Sequence, residues 1–461
     1  MKHVCFAPLY ALVILLSLGC GDETNSTSPV DSQTTVPEPT EFTDAMVPPD
    51  DVEADEDIQE EDAGLDEDSG FNPEDGSGPE DGSASGDDGG VADSSTEEDA
   101  SPEEIAEWPY GGPHPVGVTT PDESIVTPSG RELKWMIWYP AQLPTDEDAT
   151  PHKYLQLMEG TAYLDAEPAL GGPWPIILFS HGNQGIKEQS FFLTEHLASH
   201  GYLVVAPDHK YNTALDFSSE KLSEVSIERP KDISSVLDRV LAPTESDPEW
   251  LEGFGDPDHV GVTGHSFGGY TSLLVGGTNA FIPEELVEEC QETGGWICDL
   301  IENMGTDPLD LSDERVGASL PMAPAGYEIF TDAGLAENQV PTMVMAGSTD
   351  QLTPLVSTTE PIYSGLPAPK YMWTIEGGDH YIFSDLCKIP GIETLTDFGD
   401  FQTACGEQNP VPHAELHPHI NDAALAFFNL YLMEKEDEAG VLTPDGAQNA
   451  HPNISLMSEL E

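Results

Sequence analysis

Ser266 sits at the centre of Gly264-His265-Ser266-Phe267-Gly268, where a strand-like run, His259 to Thr263, meets a helix-like one, Tyr270 to Val275. A serine hydroxyl is a weak nucleophile at neutral pH. It becomes reactive when an imidazole takes its proton and a carboxylate holds that imidazole in one tautomer. The pentapeptide meets the geometric half of this demand, because Gly264 and Gly268 lack the Cβ atoms that would collide as a strand reverses into a helix. In a chain with 43 glycines the pattern alone decides little. Its strand-to-helix setting makes Ser266 a candidate for attack on an acyl carbon.

The base and the acid are sought after the serine, each on a loop at the carboxyl end of a later strand. Asp350 follows the run Met343-Val344-Met345, and His380 ends Gly377-Gly378-Asp379-His380 just after Tyr371 to Ile375. Asp379 competes for the role of acid, but its adjacency to His380 makes orientation of the ring awkward, and Asp350 is preferred. The alternatives are an N-cap for Asp350 and a satisfied loop residue for His380. A developing oxyanion needs two backbone N–H donors. Phe267, beside the nucleophile, is one candidate; Asn183, in His181-Gly182-Asn183-Gln184-Gly185 after the strand Ile176 to Ser180, is the other. His181 and Asp208-His209 are read as structural. His413, His417 and His419 lie close together, yet Pro418 disrupts helical spacing there, no C-x-x-C pair occurs, and no metal is expected.

Positioning these residues calls for alternating short apolar runs and longer amphipathic ones, the pattern of a mostly parallel central sheet flanked by helices in an α/β fold. Strands are expected near 115–126, at Leu133 to Tyr139, Pro175 to Ser180, Leu203 to Ala206, His259 to Thr263, Ala318 to Met322, Val340 to Ala346 and Tyr371 to Ile375. Helices are expected at Lys187 to His200, Pro230 to Leu241, Phe267 to Gly276 and Asn421 to Met433, with Arg229-Pro230 as a helix start. Between Thr278 and Glu314 the periodicity breaks into acidic helix-like pieces, an insertion after the nucleophile helix that is either a lid or a surface excursion.

Charge divides the chain. Formal net charge is −73, and residues 21–107 carry 31 of the 87 acidic side chains with no Lys or Arg. Such a segment cannot bury enough apolar surface to offset its ordering entropy, so 21–107 reads as a disordered acidic linker reaching roughly 50 Å as a random coil. The catalytic domain is expected at 108–435, followed by a fraying polar tail at 436–461. With 14 basic residues in all, a nucleic-acid partner is excluded. Residues 1–20, with Lys2, an apolar run from Val4 to Leu18 and Gly19-Cys20, have the form of an export signal. Cys20 resembles the lipid-modified cysteine of bacterial lipoproteins, which implies a membrane tether and a cell-envelope location; cleavage and release, or an uncleaved anchor, are the alternatives. Cys290, Cys298, Cys387 and Cys405 remain, an even number that fits two disulfides in an exported chain. Three pairings exist, and proximity favours Cys290 with Cys298 and Cys387 with Cys405.

Several segments occur in order: Val116-Gly117-Val118, Trp138-Tyr139-Pro140-Ala141, Phe179-Ser180-His181-Gly182, Val205-Ala206-Pro207-Asp208-His209, Arg229-Pro230-Lys231-Asp232-Ile233, Gly264 to Gly269 and Gly378-Asp379-His380. Together they resemble the α/β-hydrolase group that contains platelet-activating-factor acetylhydrolases and bacterial dienelactone-hydrolase-like esterases. The resemblance implies an α/β-hydrolase fold and a cofactor-free serine carboxylesterase with Ser266, Asp350 and His380 as its triad, acting on a small-molecule or lipid ester. Dienelactone hydrolases use a cysteine where this chain has Ser266. Cutinase-type polyester hydrolases, similar in pattern, usually carry Trp and Met where it has His265 and Phe267. A lipase or phospholipid-acyl hydrolase, a polyesterase, and a binding lipoprotein with a vestigial pocket are the other readings.

Overall fold

The computed structural model describes residues 111–145, 149–280, 287, 290, 298–301, 308–394, 399–406, 409 and 411–461. The export signal at 1–20 with Cys20, and the linker at 21–107, lie outside the described residues. No described helix is long and apolar enough to cross a membrane.

Among the described residues ten strands form one sheet: β1 Val116–Thr119, β2 Trp135–Pro140, β3 Tyr163–Leu164, β4 Trp174–Ser180, β5 Leu203–Pro207, β6 Gly255–His265, β7 Val316–Met322, β8 Thr342–Gly347, β9 Lys370–Ile375 and β10 Ile454–Glu459. Their order is β10-β9-β8-β7-β6-β4-β5-β2-β1-β3. The six central strands from β9 to β5 run parallel, and β2 and β10 pair antiparallel at either side of them. Parallel strands buried on both faces must be apolar throughout, and they are. Along β4, Ile176 and Leu178 join one apolar cluster while Ile177 and Phe179 join the other; Trp135, Ile137 and Tyr139 alternate in the same way with Met136 and Trp138. Four longer helices cover the faces: α1 Phe191–Ser199, α2 Leu222–Leu241, α3 Phe267–Val275 and α4 His413–Leu432.

Three expectations need correction. Helix α2 begins eight residues before Pro230, which therefore stands inside it. A proline there strips Ser226, four residues earlier, of its helical donor, and the Tyr270 hydroxyl donates to the Ser226 carbonyl instead, at 3.3 Å. Helix α4 likewise begins at His413 and runs through Pro418, its buried Leu416, Ile420 and Ala424 packing on the sheet. The segment expected to fray after residue 435 is folded. Its β10 completes the sheet along the whole length of β9, from Lys370↔Glu459 to Ile375↔Ile454, with Ile454 and Leu456 turned into the core.

Near the two ends of the stretch expected as an insertion, the backbones of Ala280 and Leu309 exchange hydrogen bonds of 3.3 and 3.2 Å, and Leu300 within it is buried in the core cluster that holds Phe267 and Tyr270. Residues 298–301 within it are helical; 281–286, 288–289, 291–297 and 302–307 lie outside the described residues. Disulfides join Cys290 to Cys298 and Cys387 to Cys405, with Cα–Cα distances of 5.2 and 5.0 Å. These are the pairings that proximity favours.

Candidate active site

Strand β6 ends at His265 and α3 begins at Phe267, so Ser266 carries the whole reversal, at φ 59° and ψ −115°. A non-glycine residue at such angles costs about 1–3 kcal/mol and persists only where its surroundings enforce it. Here the Ser266 amide donates to Met322 O at 2.9 Å, and its carbonyl accepts from Tyr270 N and Ala325 N at 3.1 and 3.2 Å. The flanking glycines are sterically required. A Cβ on Gly264 would lie 2.5 Å from Ser180 O, and one on Gly268 only 1.8 Å from the same atom. The turn is thus pressed against the end of β4, and Ser266 is half-buried among buried neighbours.

Asp350 and His380 lie on the loops after β8 and β9. His380 Nδ1 donates to Asp350 Oδ2 at 2.6 Å, and both side chains are buried. Asp350 Oδ1 accepts from the amides of Leu352 and Thr353 at 2.8 and 2.9 Å, and Oδ2 also accepts from Thr353 Oγ1 at 2.8 Å. Burial pushes the Asp350 carboxyl up, but the His380 hydrogen bond and charge, with the Thr353 donors, outweigh it and hold the group below its ordinary value. Asp379, the competing acid, faces elsewhere: its Oδ2 lies 2.8 Å from His413 Nε2, and its Oδ1 accepts from Tyr381 N at 2.7 Å. Ser266, His265 and His380 all line one cavity of about 300 Å³. Among the described residues no hydrogen bond joins Ser266 Oγ to the His380 ring.

Three residues at the site have no role that a sequence pattern assigns. Thr353 braces the acid as described. His265 and Gln189 form a chain: Gln189 Oε1 accepts from Gly182 N at 2.9 Å, Gln189 Nε2 donates to His265 Nδ1 at 2.7 Å, and His265 Nε2 donates to His380 O at 2.8 Å. Burial, then the neighbouring His380 charge, pull the His265 pKa down to about 3, so the ring stays neutral and keeps this tautomer. His265 lies inside the G-x-S-x-G pentapeptide, which is the one signal that pointed near it.

The loop after β4 brings Gly182 and Asn183 to the cavity. Asn183 Oδ1 accepts from Asn212 Nδ2 at 2.7 Å. Among the described residues neither the Asn183 amide nor the Phe267 amide has a protein acceptor, so both are free to donate to a bound group. Beneath them the fully buried Arg229 donates to the His181 carbonyl, to Ser180 Oγ at 2.9 Å and to Asn212 Oδ1 at 2.6 Å, while its guanidinium lies 4.7 Å from the centre of the Phe267 ring. Burial lowers its pKa to about 9, against the opposing charge of Asp232. His181 Nδ1 donates to Gly182 O at 2.7 Å and Nε2 accepts from His209 N at 3.0 Å, which makes it a brace for this loop.

A hydrogen-bonded Ser-His-Asp chain does occur elsewhere in the fold. Ser180 Oγ is 2.9 Å from His209 Nε2, and His209 Nδ1 is 2.9 Å from Asp232 Oδ2, which also pairs with Arg131 Nη2 at 2.9 Å. All three members are completely buried. With Arg229 donating to Ser180 Oγ, that oxygen is locked as an acceptor as well as a donor, and no substrate can reach it. This cluster anchors α2 beneath the loop of residues 181–185.

A family model described as Chlorophyllase, a family of α/β-hydrolase type, matches residues 155–280, which span Asn183, Ser266 and Phe267. No curated protein matches the chain in sequence. Among solved structures, a ferulic acid esterase from Streptomyces cinnamoneus superposes with a TM-score of 0.51 at 23% identity, covering 75% of this chain and 96% of that one. The sheet order, the elbow at Ser266 and these two likenesses make the chain an α/β-hydrolase in fold.

Proposed function

We propose that the chain is a serine carboxylesterase. The observation that carries this reading is the 2.6 Å bond between His380 Nδ1 and Asp350 Oδ2 beside a cavity that also exposes the strained Ser266. The named activity of the structural relative, an esterase, supports it. Ser266 Oγ attacks the ester carbonyl carbon while His380 Nε2 takes its proton. The Asn183 and Phe267 amides hold the resulting oxyanion, each worth a few kcal/mol of barrier. The imidazolium, stabilised by Asp350, then protonates the departing alkoxide. Water, deprotonated by the same ring, attacks the acyl-serine and releases the acid. Every atom is supplied by the protein, the ester and water, so no cofactor enters.

Ser266→Ala is expected to abolish turnover of p-nitrophenyl acetate with the fold intact. Full activity in that variant discards the assignment, and failure of the unaltered protein to react with a fluorophosphonate probe favours a binding lipoprotein. The two disulfides fit an oxidising compartment. With the signal-like residues 1–20, they support export, lipidation at Cys20, and a catalytic domain held at the envelope by the acidic 21–107 tether. A mature protein recovered in the aqueous fraction with an unmodified amino terminus removes the anchor.

A further inference from the structure

The cavity above Ser266 is small and its walls are apolar. At about 300 Å³ it sits at the low end of small-molecule sites. Among the described residues the charged side chains on its wall are Glu188 and Asp385, each paired with a lysine, Lys187 at 2.9 Å and Lys388 at 2.8 Å, so neither is an unpaired charge. Three leucines that line it are also among the exposed large apolar side chains of the protein: Leu155 at 38%, Leu215 at 56% and Leu352 at 47%. They come from three separate loops, and each joins the interior lining to the outer surface.

Leu155 stands out for its backbone. It and Gln156 occupy the turn between Lys153–Tyr154 and Met158–Glu159 with φ of 51° and 61°. Hairpin turns with two positive φ values are normally built from Asn, Asp or Gly. A leucine there is sterically disfavoured and persists only when the surroundings hold it. The holding group is Glu195 on α1, completely buried, which accepts from Tyr154 Oη at 2.7 Å, from Thr161 N and Oγ1 at 2.9 and 2.8 Å and from Ala162 N at 3.1 Å. Trp138 Nε1 donates to the same tyrosine hydroxyl at 2.7 Å, and the Tyr154 ring stacks on Phe191 at 4.3 Å. A clamped hairpin therefore presents an energetically awkward leucine at the mouth of the site, where a polar residue would suit both turn and solvent better.

We infer that the Leu155 turn is a substrate-gripping ledge: with Leu215 and Leu352 it receives the part of a neutral, apolar ester that the cavity is too small to hold. The inference rests on the esterase reading and names the substrate class for that site. Esters with an apolar chain extending beyond the cavity are preferred over short ones.

The test compares kcat/KM for p-nitrophenyl dodecanoate and acetate in the full chain and in Leu155→Asn/Leu215→Asn. Asn accepts the left-handed conformation, so the turn is kept while the apolar side chain is lost. The dodecanoate-to-acetate ratio is expected to fall about tenfold or more, whereas Leu170→Asn, an exposed leucine outside the cavity, leaves the ratio as it was. An unchanged ratio in the double variant overturns the ledge. Leu155→Gly alone gives the same reading should the double variant not accumulate. If the unaltered protein turns over neither ester, the esterase reading fails by itself, and calorimetric binding of the intact dodecanoate ester decides the ledge: about tenfold weaker binding in the variant supports it, equal binding overturns it.

Discussion

His265 Nε2 donates to the main-chain carbonyl of His380 at 2.8 Å, so the residue before the nucleophile fixes the backbone of the candidate base. Through Gln189 the same ring is tied to Gly182 N in the oxyanion loop. The His380 backbone, the residue before Ser266 and the start of the 181–185 loop thus share one hydrogen-bonded frame. Gln189→Leu breaks the link at two points and is expected to lower kcat about 10- to 100-fold with a smaller change in KM, because displacement by a fraction of an ångström is felt mainly in the transition state. Steady-state kinetics on a short ester check this; a pure KM effect counts against a positioning role.

Substitution separates Ser266 from the buried Ser180-His209-Asp232 chain. Ser180→Ala is expected to keep ester turnover and to cost about 1–2 kcal/mol of stability, since His209 and Arg229 each lose a buried partner. Ser266→Ala behaves in the opposite way. Denaturant melts paired with activity assays distinguish them, and loss of turnover in Ser180→Ala with a native melt would reverse the assignment.

Asp350→Asn should lower kcat by about 10³- to 10⁴-fold through loss of the correct His380 tautomer. Thr353→Val keeps the shape but removes the donor to Asp350 Oδ2, and an effect of about tenfold is expected, with the carboxyl pKa moving up. A carboxyl titration of that variant followed by NMR reports the second effect.

Gly268→Ala places a methyl 1.8 Å from Ser180 O, a contact that no side-chain rearrangement can relieve. The elbow cannot form against β4, and soluble protein is expected to fall sharply. Native yields with full activity contradict the packing described.

Acid should unfold this protein from the histidine side as well as the carboxylate side. Burial holds His181, His209 and His417 well below their ordinary range and His265 at about 3. A group whose folded pKa is depressed binds its proton more readily when unfolded. The stability it contributes is full above the unfolded value, near 6.5, and is lost as pH falls toward the folded value. The Asp350 carboxyl, held low, adds a loss of the same sign at lower pH. Buried Asp232 and Asp385, pushed up to about 7 and about 6, gain stability as pH falls through the same range and oppose this loss. The histidine contribution is therefore read by difference: His417→Gln is expected to lose melting temperature less steeply than the unaltered chain between about pH 6.5 and 4, and equal slopes argue against a neutral buried imidazole there.

The amino-acid sequence alone determined what depends on near neighbours. The glycines around Ser266, the apolar runs of the central strands, and Asp350 and His380 each following such a run are local patterns with local causes. The disulfide partners are also close in sequence, 8 and 18 residues apart. Only the tertiary structure decided what depends on distant partners. Asp350 rather than Asp379 meets the His380 ring because two loops from adjacent strands converge, while His413 claims Asp379. Pro230 is tolerated within a helix because Tyr270, 44 residues from Ser226, supplies the missing donor. The polar end of the chain becomes a strand because the β9 edge offers it a row of unpaired amides and carbonyls, a template invisible in residues 454–459 themselves. Gln189, His265 and Thr353 acquire their roles in the same way, through hydrogen bonds that exist only once the sheet has aligned its strand ends.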